Sequence, residues 1–196
     1  MINNIYAKYT ALKQDELLAK IRLSVSEKRF KHVLAVQKTA ALLAKRFGGS
    51  IEKASIAGIV HDYAKEHSND EMIRIIYENN LDKGMIVFGN NIWHGVVGAI
   101  LIERELGVTD SEILQAVTLH TTGSSNMSLL DKILYVADYI EPNRNFSGVN
   151  EARKFAEVNL DEAVKYKTKQ TLLKLLENEV KIYPKTIDTY NRYVAN

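Results

Sequence analysis

The chain of 196 residues contains no cysteine. That excludes disulfides, zinc–thiolate sites and thiol catalysis, so any metal must be held by histidine, carboxylate, carbonyl or water. Long apolar runs are missing too. The longest uninterrupted stretch, around Val96 to Ile102, is far too short to span a bilayer. The opening MINNIYAKYTALKQDELLAK lacks the apolar core of a signal peptide. Net charge is only +2, with no long basic run, so the charge balance gives no support for a nucleic-acid or membrane partner. A cytoplasmic protein is expected. There is no GxxxxGKS/T phosphate loop, no GxGxxG after a strand, no HExxH and no GxSxG elbow, which removes several common chemistries. Internal repeats, low-complexity segments and strand-like alternation between hairpin turns are absent as well.

What is present points to an all-α protein. The composition, 46% hydrophobic and 26% charged, suits an ordinary globular chain long enough to bury a real core. A first amphipathic helix is expected over 12–23. Ser26 can cap a second over 27–47, with Phe30, Val33, Leu34, Ala40, Ala41 and Leu43 as its apolar positions and Gly48-Gly49 as its stop. Ser50 can cap a third that ends near His61-Asp62. Ser68 and Glu71 form a capping box for a helix over 69–79. Residues 80–92 read as a loop, and a fifth helix as 93–106. Thr109 and Glu112 form another capping box for a sixth helix to about His120. HTTGSSN reads as a loop, and Ser128 opens a helix over 129–140, closed before Pro142. The tail reads as a long helix over 160–181 and a short one after Pro184, where proline fits the first turn.

The chemistry concentrates in five histidines, at 32, 61, 67, 94 and 120. His32 lies within an otherwise apolar-faced helix. His61 is followed directly by Asp62, in VHDYAK. His94 and His120 come from two further helices. Asp138 lies inside ILYVADYI, where a buried carboxylate is costly unless it is paired or binds a cation. A salt bridge to a nearby lysine or arginine is its alternative. Nitrogen and oxygen ligands without sulfur suit iron, manganese, cobalt, zinc or magnesium. Adjacent residues of a helix project about 100° apart, so His61 and Asp62 converge on one ion only if the helix frays there.

His32, HDYAKE at 61–66, WHG at 93–95, LHTTG at 119–123 and YVADYIEPNR at 135–144 together resemble the HD superfamily of metal-dependent phosphohydrolases. More narrowly, they are similar to the bacterial YqeK family of symmetrical bis(5′-nucleosyl)-tetraphosphatases. The resemblance covers roughly 26–150 and implies an HD-domain helical bundle with a C-terminal helical extension. The expected division is an N-terminal helix over 1–25, the core over 26–150, and C-terminal helices packed on it over 151–196. It also implies that His32, His61, Asp62 and Asp138 bind a divalent transition metal, commonly iron, with manganese or cobalt as alternatives. His94 and His120 would lie in the same pocket, holding a second metal or contacting substrate phosphates. The implied reaction is symmetrical hydrolysis of diadenosine tetraphosphate, or a related dinucleoside polyphosphate, to two ADP. The partners are then that substrate and an ADP- or GDP-type product, with a homodimer left open. The alternatives are another HD phosphohydrolase and a nucleotide sensor without turnover.

Around this centre, Asp62 is expected to orient the attacking water or accept its proton, and Lys65 to reach a phosphate as part of the catalytic set. Arg144, in EPNR, offers a planar fork of donors to phosphate oxygens. Thr121 and Thr122 can donate hydroxyls to a phosphate or cap their loop. Trp93 is expected in the core in preference to stacking on a base. His67 reads as a surface residue, and Lys165, Lys167, Lys169 and Lys174 as a solvated helix face.

Overall fold

The computed structural model describes residues 6–195. The first five residues of the expected N-terminal segment 1–25 lie outside the described residues. Among the described residues ten α-helices follow in chain order: α1 Gln14–Ser24, α2 Glu27–Phe47, α3 Ile51–Val60, α4 Asn69–Glu78, α5 Asn90–Leu106, α6 Ser111–Leu119, α7 Leu129–Ile140, α8 Val149–Val158, α9 Leu160–Glu177 and α10 Pro184–Tyr193. A 3-10 helix, Lys83–Phe88, precedes α5. Among the described residues there is no strand. No helix among them is long and apolar enough to cross a membrane.

The helix starts follow from side-chain caps. Ser26, Ser50, Ser68 and Ser128 each accept a hydrogen bond from the amide three residues on, and each such cap is worth about 1 kcal/mol. At Ser128 the bond is reciprocated by Asp131. Four details differ from the sequence expectation. Asp110, not Thr109, caps α6, because its Oδ1 takes the amides of both Glu112 and Ile113. The segment 80–92 is not wholly loop: the 3-10 helix fills it, and α5 starts at Asn90. The long tail helix stops at Glu177, short of 181. Helix α8 went unforeseen because it begins after Gly148 in a left-handed conformation, with no capping side chain.

Helix α7 is buried on nearly every side, with Ile133, Leu134, Tyr135, Val136 and Ala137 all at 0–1% exposure. A helix that is apolar all round belongs in a core. It packs against α2, α3, α6, α8 and α9. Two glycines let neighbouring helices close on the centre. A Cβ at Gly58 would stand 2.7 Å from Gln37 Cα, so only glycine lets α3 lie against α2 and bring His61 towards His32. A Cβ at Gly95 would stand 2.9 Å from the Thr118 carbonyl, so α5 meets the end of α6 there and His94 reaches His120.

Candidate metal centre

Helix α3 ends at Val60, and His61 is its C-cap. The chain continues in tight turns, with Tyr63 N on Val60 O and Lys65 N on Asp62 O. Leaving the helix here changes the projection of Asp62, so His61 and Asp62 face one centre despite being adjacent. Each imidazole reaches that centre from a different element: His32 from α2, His61 from the end of α3, His94 from α5 and His120 from the end of α6. Asp138 comes from the last turn of α7. All four histidines are at most 8% exposed, and Asp62 is 3% exposed.

The hydrogen bonds fix how the rings point. Nδ1 of His61, His94 and His120 lies 2.7, 2.8 and 2.6 Å from the carbonyls of Gly58, Asn90 and Val117. A carbonyl only accepts, so each Nδ1 carries the proton and each Nε2 presents a lone pair. Nδ1 of His32 lies 3.0 Å from Glu141 Oε1, with the same result. The inward atoms are therefore nearly all acceptors. His32 Nε2 is 3.1 Å from Asp138 Oδ1 and 3.6 Å from Asp62 Oδ2. His61 Nε2 is 3.4 Å from Asp62 Oδ2 and 3.9 Å from Asp138 Oδ1. His94 and His120 face each other Nε2 to Nε2 at 2.9 Å, lying 3.4 and 3.7 Å from Asp62 Oδ1. The Nε2 atoms of His32 and His61 are buried without a hydrogen-bond partner.

Such an arrangement is repulsive unless a cation stands among the acceptors. Two atoms ligating one ion through bonds of 2.0–2.2 Å lie at most about 4.4 Å apart, and every separation above meets that limit. His32, His61 and Asp138 form one group able to hold an ion, and His61, Asp62 and His120 another. The outward Nδ1 bonds are those that orient metal-ligating histidines. The residues present thus fit a divalent transition metal.

Cations ring the carboxylates. Arg29 Nη1 lies 2.7 Å from Asp62 Oδ2, and Arg144 Nη2 lies 2.7 Å from Asp138 Oδ1. Arg144 Nε also donates to the Asp138 carbonyl at 3.0 Å. The salt bridge foreseen as the alternative for Asp138 therefore exists beside its place among the histidines. Burial pushes the Asp62 carboxyl up, but the electrostatic pull of the neighbouring imidazoles, His61 first and then His94 and His120, holds it well below the usual range. Burial likewise opposes ionisation of Asp138, and His32, Lys167 and Arg144 overcome it. Burial lowers the His61 imidazole, yet Asp62 outweighs this and draws it upward. His94 is pushed down to about 4 by burial and Lys65, and His120 falls well below its ordinary value by burial beside His94 and His61.

The other expected residues fall into place around this centre. Lys65 Nζ donates to Asn91 Oδ1 at 3.0 Å and lies 3.4 Å from His94 Nδ1. Burial, opposed by Asp62, lowers its pKa. Thr121 Oγ1 is 3.3 Å from His94 Nε2, whereas the Thr122 hydroxyl turns to the Gly123 carbonyl. Trp93 is core, its Nε1 on the Met85 carbonyl. His67, expected at the surface, is half-buried against the ring of Tyr63 because the turns after Asp62 fold it back. Lys167, expected on a solvated face, is 4% exposed because α9 lays that position against α7. Three residues near the centre were not assigned to it from sequence: Arg29, Glu141 and Lys167. The first two carried a signal, since Arg29 precedes His32 by three and Glu141 follows Asp138 by three, the spacing of one helix face. Beside His32 opens a cavity of about 550 Å³, lined by Lys28, Arg29, Lys31, Glu66, Glu141 and Arg144 among others.

A helical bundle that gathers histidines and aspartates from five helices in this order is the mark of one class. The chain belongs to the HD domain family, whose profile matches residues 29–143. It is 42% identical to the symmetrical bis(5′-nucleosyl)-tetraphosphatase of Bacillus subtilis (strain 168), over 94% of this chain and 99% of that one. The symmetrical bis(5′-nucleosyl)-tetraphosphatase of Staphylococcus aureus (strain NCTC 8325 / PS 47) is 38% identical, over 90% and 91%. The fold also matches the crystal structure of a predicted HD superfamily hydrolase involved in NAD metabolism from Clostridium acetobutylicum. The TM-score is 0.90 at 36% identity, over 94% of this chain and 98% of that one.

Proposed function

We propose that this protein hydrolyses diadenosine tetraphosphate symmetrically to two ADP. It would do so with a divalent transition metal, iron being the first choice, held by His32, His61, Asp62 and Asp138. The observation that carries the metal site is the set of inward-facing lone pairs, two of them on buried Nε2 atoms with no partner. The substrate comes from the relatives' activity, at 38–42% identity over nearly the whole chain. The catalytic core is 26–150, with 151–196 as an extension packed on it.

When bound, the metal supplies Lewis acidity, which acidifies water and offsets charge on phosphate oxygens. The chain's own groups do the rest. Asp62 turns Oδ2 to His32 and His61, and Oδ1 to His94 and His120, so it is placed to orient the attacking water or accept its proton. Water oxygen bonds to one of the two central phosphorus atoms. The bridging P–O bond breaks, and the released ADP takes the electron pair and a proton. Lys65 and Thr121 beside His94, and Arg144 beside Asp138, would donate to phosphate oxygens brought to the centre. Thr122 supports that loop through its backbone bond. His94 and His120 present lone pairs and bury poorly as cations, so they suit a second cation sharing Asp62 better than a phosphate oxygen.

Metal-reconstituted protein incubated with diadenosine tetraphosphate should yield ADP as the only early product on chromatography. AMP appearing with ATP would mean asymmetric cleavage, and stoichiometric binding without product would make the protein a sensor.

A further inference from the structure

Lys167 lies beyond the span matched by the HD domain, 29–143, yet its ammonium reaches the centre. It stands on α9 at 4% exposure. Nζ donates to the His120 carbonyl at 3.2 Å and to the Tyr135 carbonyl. It lies 4.0 Å from Asp138 Oδ2 and 3.6 Å from the centroid of the Tyr135 ring. An ammonium has three donors. Two are fixed on main-chain oxygens, and the nearest carboxylate is that of Asp138. The His120 carbonyl is at the C-terminal end of α6, where helix carbonyls lack an internal partner and the dipole is negative. Tyr135 is three residues before Asp138 on α7. One side chain thus touches the backbone of the residue presenting Nε2 to Asp62 Oδ1, and the helix carrying Asp138. Filling this volume does not require charge, and an uncompensated buried ammonium is costly. A second tie from the same extension reaches the same loop: Thr189 Oγ1, on α10, donates to the Thr122 carbonyl at 2.9 Å.

We propose that Lys167 is a positioning residue of the metal centre, fixing His120 on one side of Asp62 and Asp138 on the other from a helix outside the shared HD core. The assignment rests on the metal reading above. It gives the C-terminal extension a part in the site: α9 sets the spacing of groups that α6 and α7 supply.

The test uses full-length wild type and Lys167→Met, both loaded with Co²⁺. Three quantities are read: the visible absorption of bound Co²⁺, kcat and KM with diadenosine tetraphosphate, and the thermal midpoint. Lys167→Met is expected to fold, to shift the Co²⁺ bands, and to lose roughly 10- to 100-fold in kcat with little change in KM, the scale of losing an outer-shell partner. A wild-type Co²⁺ spectrum with wild-type kcat would overturn the assignment, even if the thermal midpoint fell, because a purely structural residue behaves that way. Should Lys167→Met not fold, Lys167→Gln is judged by the same criteria, since its neutral side chain, one bond shorter, removes the charge facing Asp138 and cannot span both carbonyls as the ammonium does. If neither folds, Lys167 is a folding determinant and the assignment is overturned. A wild type that takes up no Co²⁺ removes the metal reading together with this one, whereas a wild type that binds it beside an indifferent variant removes only Lys167.

Discussion

Two charged clusters in this protein are built from similar groups to opposite effect. On the surface, Lys53 lies 2.9 Å from Asp110 and 2.6 Å from Glu112, tying α3 to the start of α6. Its donors face acceptors, and the cluster is complete as it stands. In the centre, two carboxylates and four imidazoles turn lone pairs on one another, and the Nε2 atoms of His32 and His61 are left without a partner. Arg29 and Arg144 each hold one carboxylate oxygen and Lys167 lies 4.0 Å from Asp138 Oδ2, but none of them gives the Nε2 atoms of His32 and His61 a partner. A surface pair of this kind contributes little to stability because water competes for both charges. A buried set of acceptors is tolerable only with a cation among them. The first cluster joins two helices, while the second is shaped around something the chain must acquire.

The hardest blow to the central cluster is loss of a group that both halves share. Asp62→Ala should leave a folded protein without bound metal by elemental analysis. Its activity should fall by more than roughly 100-fold, beyond the usual cost of an outer-shell partner. His61→Ala should behave likewise. A metal-free Asp62→Ala protein with full activity would end the metal mechanism. The two halves separate at His94 and His120. Replacing either by alanine should lower activity on the order of 100-fold and take the metal count from two equivalents to one, the remaining ion staying with His32, His61, Asp62 and Asp138. An unchanged count would return the pair to phosphate contact, and unchanged kinetics would place the histidine outside the site.

Arg144 tests whether the outer cations only balance charge. Its guanidinium holds the Asp138 carboxylate and carbonyl. Arg153 of α8 pins the loop beneath it by donating to the carbonyls of Ile140, Glu141 and Arg144. If Arg144 also grips a phosphate, Arg144→Lys keeps the charge and loses the fork. Both Arg144→Lys and Arg144→Ala should then lose about ten- to a hundredfold in kcat/KM, equivalent to roughly 1.5–3 kcal/mol for a charged hydrogen bond. Because the guanidinium also holds Asp138, metal retention and the thermal midpoint should fall in Arg144→Ala and fall less in Arg144→Lys, which keeps the charge. Normal turnover by Arg144→Ala would leave the grip to Lys65 and backbone groups.

The difference between the clusters was only partly legible in the sequence. Caps at Ser26, Ser50, Ser68 and Ser128 gave four helix starts, because a serine before an apolar period has a local meaning. The His and Asp positions stood out because buried polar groups interrupt apolar faces. Arg29 and Glu141 were within reach through i±3 spacing from His32 and Asp138. Lys167 was not, since KYKTK on α9 looks like any solvated stripe until α7 is placed against it. Helix α8 was hidden for a different reason: its start is a backbone conformation at Gly148, with no side-chain signature. Local chemistry is written in short spacings, whereas the meeting of α6, α7 and α9 is a long-range fact.

Asp110→Asn supplies the small end of the scale. The amide keeps an Oδ1 that can cap α6, and asparagine caps as well as aspartate, so only the charge facing Lys53 is removed. Burial tends to raise the Asp110 carboxyl, but the hydrogen bond from Lys53 and the Ile113 amide outweigh it and hold the carboxyl low. A depressed native pKa means that the unfolded chain binds a proton more readily. The stabilisation is therefore present above the unfolded carboxylate pKa and is lost as pH falls through the native value. Lys53 retains Glu112 and is solvent-accessible, so the loss at neutral pH should be only roughly 0.2–1 kcal/mol. In urea melts the gap between wild type and Asp110→Asn should be full at neutral pH, shrink below about pH 4, and shrink also in high salt. Metal content and kcat should not move. If they do, the surface cluster is coupled to the centre through α3 and α6, and the two cannot be treated as independent.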